Sequence, residues 1–411
     1  MSDKTRVLFV DDEPKILAGL RRMLRKMRDE WEMEFVTSGR EALEALEKQP
    51  FDVVVSDMRM PEMDGAELLN EVRAHCPTAV RLILSGHSDR EMILKSVGPT
   101  HQFLAKPCDA ESLKETVARA CTLRDLLADQ TLKAVVARIS SLPSVPGLYS
   151  RLLQVLESPE GSLREVAEII SSDVGMTAKI LQLVNSAFFG LRHPIESPSQ
   201  AITYLGMDTV RAVVLTASVF AEFEGADKAK QAAEDLYPHS IRTGSLSAKI
   251  AKMAGADKTL TDDATMAGLL HDVGRLILAA ELPDMADAIA RNAREQQTPL
   301  HEAERKTFGA THAELGAYLL GLWGLPHRIV EAVAFHHTPA ACPGRTFTVL
   351  VPVHAANVLD REAHPEPGDV HTASLDMTYL EEVGVADRLP EWRELVAAAT
   401  AKETEHAGKT D

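Results

Sequence analysis

The chain has 411 residues, 45% of them apolar and 26% charged, and its formal net charge is −17. This length is enough for two or three domains, and the negative balance argues against a protein that binds nucleic acid directly, which needs clustered cations. The best membrane-span candidate, 210–220, is too short and contains polar residues. The four cysteines form no CxxC pair, which is typical of a reducing compartment. We therefore expect a cytoplasmic protein that contacts neither nucleic acid nor membrane.

The first 122 residues alternate short apolar runs with helical stretches. The apolar runs lie at 7–10, 53–56, 82–84 and 103–105, and the helical stretches lie at about 14–28, 39–48, 64–75, 88–97 and from 109 onward. Short apolar runs rich in β-branched or aromatic residues indicate buried strands. Strands that alternate with helices predict an α/β domain with a parallel sheet covered on both faces.

Polar side chains follow four of these strands. They are Asp11, Asp12, Asp57, Ser85 and Lys106. Ligands of such sheets bind at the carboxyl ends of the strands, and crowded carboxylates need a hard cation such as Mg²⁺. The pattern predicts that Asp57 is a nucleophile that accepts a phosphoryl group, with Lys106 and Ser85 contacting its oxygens.

This part of the chain resembles the receiver domain of two-component response regulators. The matching segments are Val10–Pro14, Asp57–Gly65, Leu84–Gly86 and Lys106–Pro107. The resemblance implies a flavodoxin-like (βα)5 fold and a sensor histidine kinase as partner. It also implies that Asp57 is the phosphoacceptor, that Asp11, Asp12, Asp57 and the Arg59 carbonyl hold Mg²⁺, that Phe103 is the aromatic switch, and that the Lys106–Pro107 peptide is cis.

The remainder of the chain contains helical patterns only. We predict a receiver over 1–122, a helical linker over 123–141 that two prolines and a glycine end, an all-α domain over 142–360 with its core at 142–338, and a C-terminal helical tail over 361–411 with a partly disordered end. Predicted helices lie near 199–205, 208–223, 229–254, 262–280, 284–296, 299–307, 311–323, 326–338 and 377–402.

Several histidines and one aspartate stand on or at the start of these helices. They are His239, His271, Asp272, His312, His336 and His337. A His-Asp pair within an apolar helix is costly to bury without a partner or an ion, and neutral imidazoles with a carboxylate could bind transition metals. Core histidines that are satisfied by ordinary hydrogen bonds remain the alternative at this point.

Residues 139–338 resemble an HDOD domain, a signalling or interaction module related to HD-family phosphohydrolases. The resemblance rests on the segments Asn185–Gly190, Ala201–Gly206, the His271-Asp272 helix and His312–Leu320. By similarity to HD-GYP cyclic di-GMP phosphodiesterases, the six residues fall at ligand positions for Fe or Mn. Three features depart from that family: no Gly-Tyr-Pro follows His337, Arg275 replaces the usual lysine, and Asn357 stands where the last aspartate belongs.

The leading interpretation is a response regulator of a phosphorelay whose HDOD domain acts on an unknown output protein. A phosphorylation-controlled metal phosphohydrolase is the alternative. A transcription factor is a weaker third, because no basic recognition helix is present. The sequence is compatible with a homodimer.

Overall fold

The computed structural model describes residues 4–85, 100–106, 108, 111, 113–114, 116–118, 132–133, 135–136, 139, 146–158, 161–185, 195, 197–216, 227–365 and 374–407. The predicted helix at 88–97, most of the predicted linker helix and the Lys106–Pro107 peptide lie outside these residues.

The amino-terminal part is a five-stranded parallel sheet in the order β2-β1-β3-β4-β5. The strands are β1 (Thr5–Val10), β2 (Trp31–Val36), β3 (Val53–Asp57), β4 (Val80–Ser85) and β5 (Gln102–Ala105), and the described helices are α1 (Pro14–Met23), α2 (Gly39–Lys48) and α3 (Gly65–His75). The predicted α/β fold is confirmed. The helix expected over 14–28 ends at Met23, and a 3-10 turn follows at Arg25–Asp29.

Successive side chains of a strand point to opposite faces, and both faces of this sheet are buried. Val7 and Phe9 pack into one core, while Leu8 and Val10 pack into another. This two-sided burial explains why the strands are continuous apolar runs. It also leaves the polar residues that follow the strands together at one edge.

The rest of the described chain is helical. The helices are α4 (Pro146–Glu157), α5 (Leu163–Ser171), α6 (Val174–Val184), α7 (Pro198–Thr216), α8 (Asp227–Met253), α9 (Lys258–Leu270), α10 (Val273–Glu281), α11 (Pro283–Gln296), α12 (Leu300–Phe308), α13 (His312–Leu322), α14 (His327–Phe335), α15 (Leu350–Ala363), α16 (Met377–Val383) and α17 (Leu389–Ala407). None of the described helices is long and apolar enough to cross a bilayer.

Two breaks interrupt the helical part near predicted helices. The prediction of a single helix over 262–280 was wrong. The segment forms two helices, α9 and α10, and His271 and Asp272 lie at the junction between them. The break expected between 205 and 208 is present, because Gly206 has a φ of 76° inside α7. A left-handed φ of this kind favours glycine and interrupts a helix.

The sheet and the helical part meet at β5 and α13. Gln102 Nε2 donates a hydrogen bond to the carbonyl oxygen of Gly321, at a distance of 3.1 Å. The C-terminal segment also packs into the helical part, because Tyr379, Trp392 and Val396 are all buried. It is therefore part of the core up to that point.

Candidate phosphoacceptor and metal sites

Lys106 lies between two carboxylates at the carboxyl edge of the sheet. Its Nζ is 2.8 Å from Asp11 Oδ2 and 2.5 Å from Asp57 Oδ1. Carboxylate oxygens of Asp11, Asp12 and Asp57 lie within 4.8 Å of one another. The structure thus brings together the three acidic residues and the lysine that the sequence singled out.

Charge and burial act together on this group. Burial raises the pKa of the Asp57 carboxyl; the Lys106 ammonium partly offsets that rise, and the charge of Asp11 adds to it. Burial opposes the charged form of Lys106, but its contacts with Asp11 and Asp57 outweigh burial and raise its pKa. Three crowded oxygen donors with a surplus of negative charge fit a hard cation such as Mg²⁺.

The backbone packs closely around Asp57, and Ser85 lies at the end of the neighbouring strand β4. Ser85 Oγ is buried and has no hydrogen-bond partner among the described residues, which is costly for a hydroxyl. A Cβ at Gly65 would lie 2.2 Å from the Asp57 carbonyl oxygen, so only glycine lets α3 begin this close to the site. Asp64 and Glu67 form a capping box that fixes the start of α3.

Two further receiver predictions concern Phe103 and Arg59. Phe103 lies in β5 between Gln102 and Leu104, but its side chain is outside the described part of the chain. Arg59 follows β3 and is exposed. Their roles as switch and as carbonyl ligand stay predictions.

Five histidines surround Asp272 in the helical part. Asp272 Oδ1 is 3.1 Å from His312 Nε2 and 3.6 Å from both His271 Nε2 and His336 Nε2. His239 Nε2 is 3.1 Å from His271 Nε2, and His337 Nε2 is 3.0 Å from His312 Nε2. All six predicted residues therefore converge, although they come from several helices.

The six residues form two groups of ligand atoms that share one carboxylate. The first group is His239, His271 and Asp272, and the second is Asp272, His312, His336 and His337; within each, the donor atoms lie within 4.8 Å of one another. Asn357 stands where related phosphodiesterases have an aspartate, and a neutral amide is a poorer bridge between two cations than a carboxylate. The structure places Asp272 between the groups instead.

Four of the five histidines, His239, His271, His312 and His336, have a partner on Nδ1. His271 Nδ1 is 2.7 Å from the Gly268 carbonyl oxygen, and His336 Nδ1 is 2.8 Å from that of Val333. A carbonyl oxygen can only accept, so these Nδ1 atoms carry the proton and leave a lone pair on Nε2.

Carboxylates fix the other two rings. His239 Nδ1 is 2.7 Å from Asp360 Oδ2, and His312 Nδ1 is 2.6 Å from Glu304 Oε2. Metal-ligating histidines usually have such a partner on the second nitrogen. All four Nε2 atoms consequently face the centre of the cluster.

Burial favours the neutral form of three of the five rings. It lowers the pKa of His239, His271 and His337. Burial would also lower the pKa of His312, but the charges of Glu304 and Asp272 outweigh it and raise the value to about 9. Neutral imidazoles and a shared carboxylate are a donor set that suits Fe or Mn, so the residues present fit a transition-metal site.

Cations of the chain contact the outer oxygen of Asp272. Arg275 Nη1 is 3.1 Å and Arg361 Nη2 is 3.6 Å from Asp272 Oδ2. Oδ1 therefore faces the histidines while Oδ2 faces guanidinium groups. The arginine that departs from the family pattern at position 275 is thus an ion-pair partner of the shared carboxylate.

Sequence reasoning missed Asp360 and Glu304. Asp360 is fully buried, contacts His239 and receives two hydrogen bonds from Arg242. It stands three residues after Asn357, on the same face of α15, and this spacing could have revealed it. Glu304 comes from α12, and only the fold brings it to His312.

Asn357 itself lies at the cluster. Its Oδ1 is 3.1 Å from His239 Nε2. The side chain occupies the expected position, but as a neutral amide it adds no charge to the donor set.

Family models match both the amino-terminal sheet domain and the helical part of the chain. The model of the response regulator receiver domain matches residues 7–118, and that of the HDOD domain matches residues 142–339. The chain is a response regulator with an HDOD domain. Its receiver domain contains the acidic cluster, and its HDOD domain contains the histidine cluster.

Similar proteins cover only parts of the chain. An uncharacterized protein of Treponema pallidum (strain Nichols) is 28% identical over 254 residues, which are 60% of this chain and 48% of that protein. The hydrogenase transcriptional regulatory protein HoxA of Cupriavidus necator is 36% identical over 165 residues, 39% of this chain and 33% of HoxA. The response regulator thus spans half or less of the length of these relatives.

Solved structures include the MmoQ response regulator from Methylococcus capsulatus, with 25% identity, 62% of this chain and 98% of that chain covered, and a TM-score of 0.47. An HDOD domain protein from Geobacter sulfurreducens has 23% identity, covers 71% of this chain and 96% of its own, and has a TM-score of 0.38.

Proposed function

We propose that this response regulator accepts a phosphoryl group on Asp57 from a sensor histidine kinase, in the presence of Mg²⁺, and passes the signal to its HDOD domain. The observation that carries the proposal is the contact of Lys106 with both Asp11 and Asp57, beside Ser85, whose hydroxyl has no partner among the described residues. We assign the receiver to 1–122, the linker to 123–141, the HDOD domain to 142–360 and a C-terminal extension to 361–411.

Each residue of the site has its own role in phosphoryl transfer. Asp57 attacks phosphorus with a carboxylate oxygen, and the bond from phosphorus to the donor's histidine nitrogen breaks. Asp11, Asp12 and Asp57 would hold Mg²⁺, which would neutralise charge on the phosphoryl oxygens. Lys106 then exchanges its contact with Asp57 for one phosphoryl oxygen, and Ser85 donates its hydrogen bond to another.

A small phosphodonor tests this assignment. Acetyl phosphate with Mg²⁺ is expected to add one phosphoryl group, seen by intact-protein mass, and Asp57→Asn is expected to abolish it. The matched control Asp29→Asn removes an exposed carboxylate of the receiver outside the acidic cluster and leaves labelling unchanged. Equal labelling of Asp57→Asn and the unmodified protein would show that the assignment is wrong.

We further propose that the histidine cluster binds two transition-metal ions. His239 and His271 support this, because each Nδ1 is held by an acceptor, and their Nε2 atoms face each other at 3.1 Å. Two lone pairs at that distance repel each other unless a cation or a shared proton lies between them. Metal analysis of the purified protein, with His271→Ala for comparison, tests the proposal.

The output of the HDOD domain is proposed to be contact with another protein. Asn357 contributes no charge, and the residues after His337 lack the Gly-Tyr-Pro of the related phosphodiesterases. Metal-dependent hydrolysis of a cyclic dinucleotide stays the alternative, because Asp272 supplies a carboxylate between the two groups of ligands.

Turnover separates these two outputs. Cyclic di-GMP incubated with the protein and Mn²⁺ or Fe²⁺ is expected to remain intact. Hydrolysis that disappears in His271→Ala but persists in His327→Ala would favour the hydrolase instead. His327 is an exposed histidine of α14, so its removal controls for the loss of an imidazole.

A further inference from the structure

Helix α13 connects the receiver to the histidine cluster. Its first residue, His312, is a member of the cluster, and Gly321, near its other end, accepts the hydrogen bond from Gln102 of β5. Every residue of the helix except Glu314 is buried, and a capping box of Thr311 and Glu314 fixes its start. The helix is therefore held as a stiff element between the two contacts.

The cluster cannot remain unchanged if α13 moves. Helices α10 and α13 touch through their backbones: a Cβ at Gly274 would lie 1.9 Å from the His312 carbonyl oxygen, and a Cβ at Gly316 would lie 3.0 Å from Gly274 N. Gly274 stands two residues after Asp272. A displacement of α13 along its axis thus shifts His312 and strains the segment that holds the shared carboxylate.

The receiver end of this connection is equally direct. Gln102 is the first residue of β5, and Lys106 follows the last. At about 3.3 Å for each residue of a strand, the contact with the helical domain lies about 13 Å from the lysine that pairs with Asp57. Lys106 N also donates to the Ser85 carbonyl oxygen at 2.7 Å, so Lys106 moves together with the end of β4.

A second contact flanks the first. Arg81 of β4 is buried against His101, with Nη2 2.8 Å from His101 Nε2. Burial lowers the pKa of Arg81 to about 9, and Tyr318 of α13 acts electrostatically on the same group. The Gln102 amide also lies against Gly324, which follows the end of α13 and has a φ of 77°. Strand β5 therefore meets the end of α13 at more than one point.

We propose that the protein senses a divalent transition metal as well as phosphate, and that the two ligands oppose each other through β5 and α13. This inference depends on the proposed phosphoacceptor and metal sites. In this structure Lys106 pairs directly with Asp57. At the same time the Nε2 atoms of His239, His271, His312 and His336 converge on the histidine cluster. Phosphorylation draws Lys106 toward the phosphoryl group, displaces β5 and α13, and weakens the ion site. By linkage, the bound ion disfavours phosphorylation by the same factor.

Titration of the full chain with Co²⁺ measures this coupling, with Mg²⁺ present throughout and with or without the phosphoryl analogue beryllofluoride. Cobalt absorption reports the histidine site, and the analogue is expected to weaken Co²⁺ binding by about fivefold or more. The reciprocal titration, beryllofluoride with and without Co²⁺, is expected to give an equal factor.

Variants locate the connection. Gln102→Ala is expected to leave both ligands bound but to reduce the coupling factor. Gln49→Ala is the matched control: its amide also donates one hydrogen bond, to Glu34 Oε2 at 3.1 Å, but within the receiver. It keeps the full factor. Asp57→Asn removes the response to the analogue.

The outcomes are distinguishable. If no Co²⁺ binds to the histidine cluster, the proposed metal site is wrong and the inference falls with it. If Co²⁺ binds with the same or greater affinity when the analogue is present, the metal site stands and the opposition is refuted. If Gln102→Ala and Gln49→Ala behave alike, the route through β5 and α13 is refuted.

Discussion

A histidine ring can offer a metal only the nitrogen that its other hydrogen bond leaves available. In the HDOD domain the Nδ1 partners are two backbone carbonyls and two buried carboxylates. These partners decide which nitrogen faces the cluster. The carboxylates of Asp360 and Glu304 therefore orient two of the rings, although they do not contact Asp272 themselves.

Asp360→Asn is expected to weaken transition-metal binding by about tenfold or more, the usual cost of losing such a partner. The amide can still accept from His239, but it no longer polarises the ring, and Arg242 loses its ion pair. Co²⁺ titration measures the effect. The surface variant Asp387→Asn serves as control, and unchanged affinity in Asp360→Asn would contradict the role given to this carboxylate.

Lys179 is a second residue of interest at this scale, because its buried environment affects how the stability of the protein depends on pH. It is 2% exposed and lies over the Trp323 ring at 5.0 Å, and burial lowers its pKa to about 7 from the model-peptide value of 10.5. The unfolded chain therefore binds one more proton than the folded chain between about pH 7 and pH 10.5. Its contribution to the free energy of unfolding rises with pH across that window and is lowest below it.

Lys179→Met is accordingly expected to be more stable than the unmodified protein near pH 7, with the difference shrinking toward pH 10.5. Urea denaturation across this range, plotted as the difference between the two proteins, cancels the other groups that titrate. Lys252→Met, at an exposed helix position, is the matched lysine-to-methionine substitution. A difference between Lys179→Met and the unmodified protein that does not change with pH would refute the prediction.

At the scale of elements, close approach of backbones matters more than side-chain chemistry. Helices α10 and α13 meet at Gly274 and Gly316, where no side chain separates them. This contact brings His312 within reach of Asp272. Small residues at such a crossing are needed because interiors are close-packed and do not absorb an added methyl group.

Gly274→Ala is expected to destabilise the protein by about 1–3 kcal/mol through overpacking and to weaken metal binding, because the added Cβ meets backbone that cannot move alone. Gly19→Ala is the matched helix substitution: nothing lies within 4 Å of the new Cβ, and alanine in a helix stabilises by about 0.5–1 kcal/mol relative to glycine. Thermal denaturation and Co²⁺ titration of both variants measure the contrast. Equal behaviour would show that the close approach is not needed.

The elements also show what a sequence can predict. Apolar runs followed by Asp11, Asp57 and Lys106 give the sheet and its edge, because strand ends of a parallel sheet necessarily meet. The convergence of the histidines followed from family resemblance, since their helices are far apart in sequence. The junction at His271 and Asp272 was missed because the apolar period continues through it, and the break is set by tertiary contacts.

At the scale of the whole molecule, the C-terminal segment packs against the helical domain. Trp392 is fully buried, and Tyr379 and Leu380 pack in the same core. The sequence predicted a helical segment near 377–402, and α16 (Met377–Val383) and α17 (Leu389–Ala407) lie there. The fraying end was predicted beyond that segment and stays a prediction.

Trp392→Ala is expected to cost about 3–5 kcal/mol of stability, as for other large-to-small core changes. Because α17 packs near α15, which carries Asn357 and Asp360, the loss is expected to lower metal affinity as well. The exposed Glu391 beside it provides a control, as Glu391→Ala. Urea denaturation decides the matter, and equal midpoints for the two variants would contradict the packing role.

The guanidinium groups of Arg275 and Arg361 at Asp272 Oδ2 have a consequence for how the ion site is filled. Small zinc domains stay unfolded until the metal arrives, since nothing else balances their ligands. In this HDOD domain the chain supplies its own counter-charge to the central carboxylate, and acceptors already hold the Nδ1 atoms. We therefore expect that folding does not require the proposed ions, and that they exchange within the lifetime of one folded protein molecule.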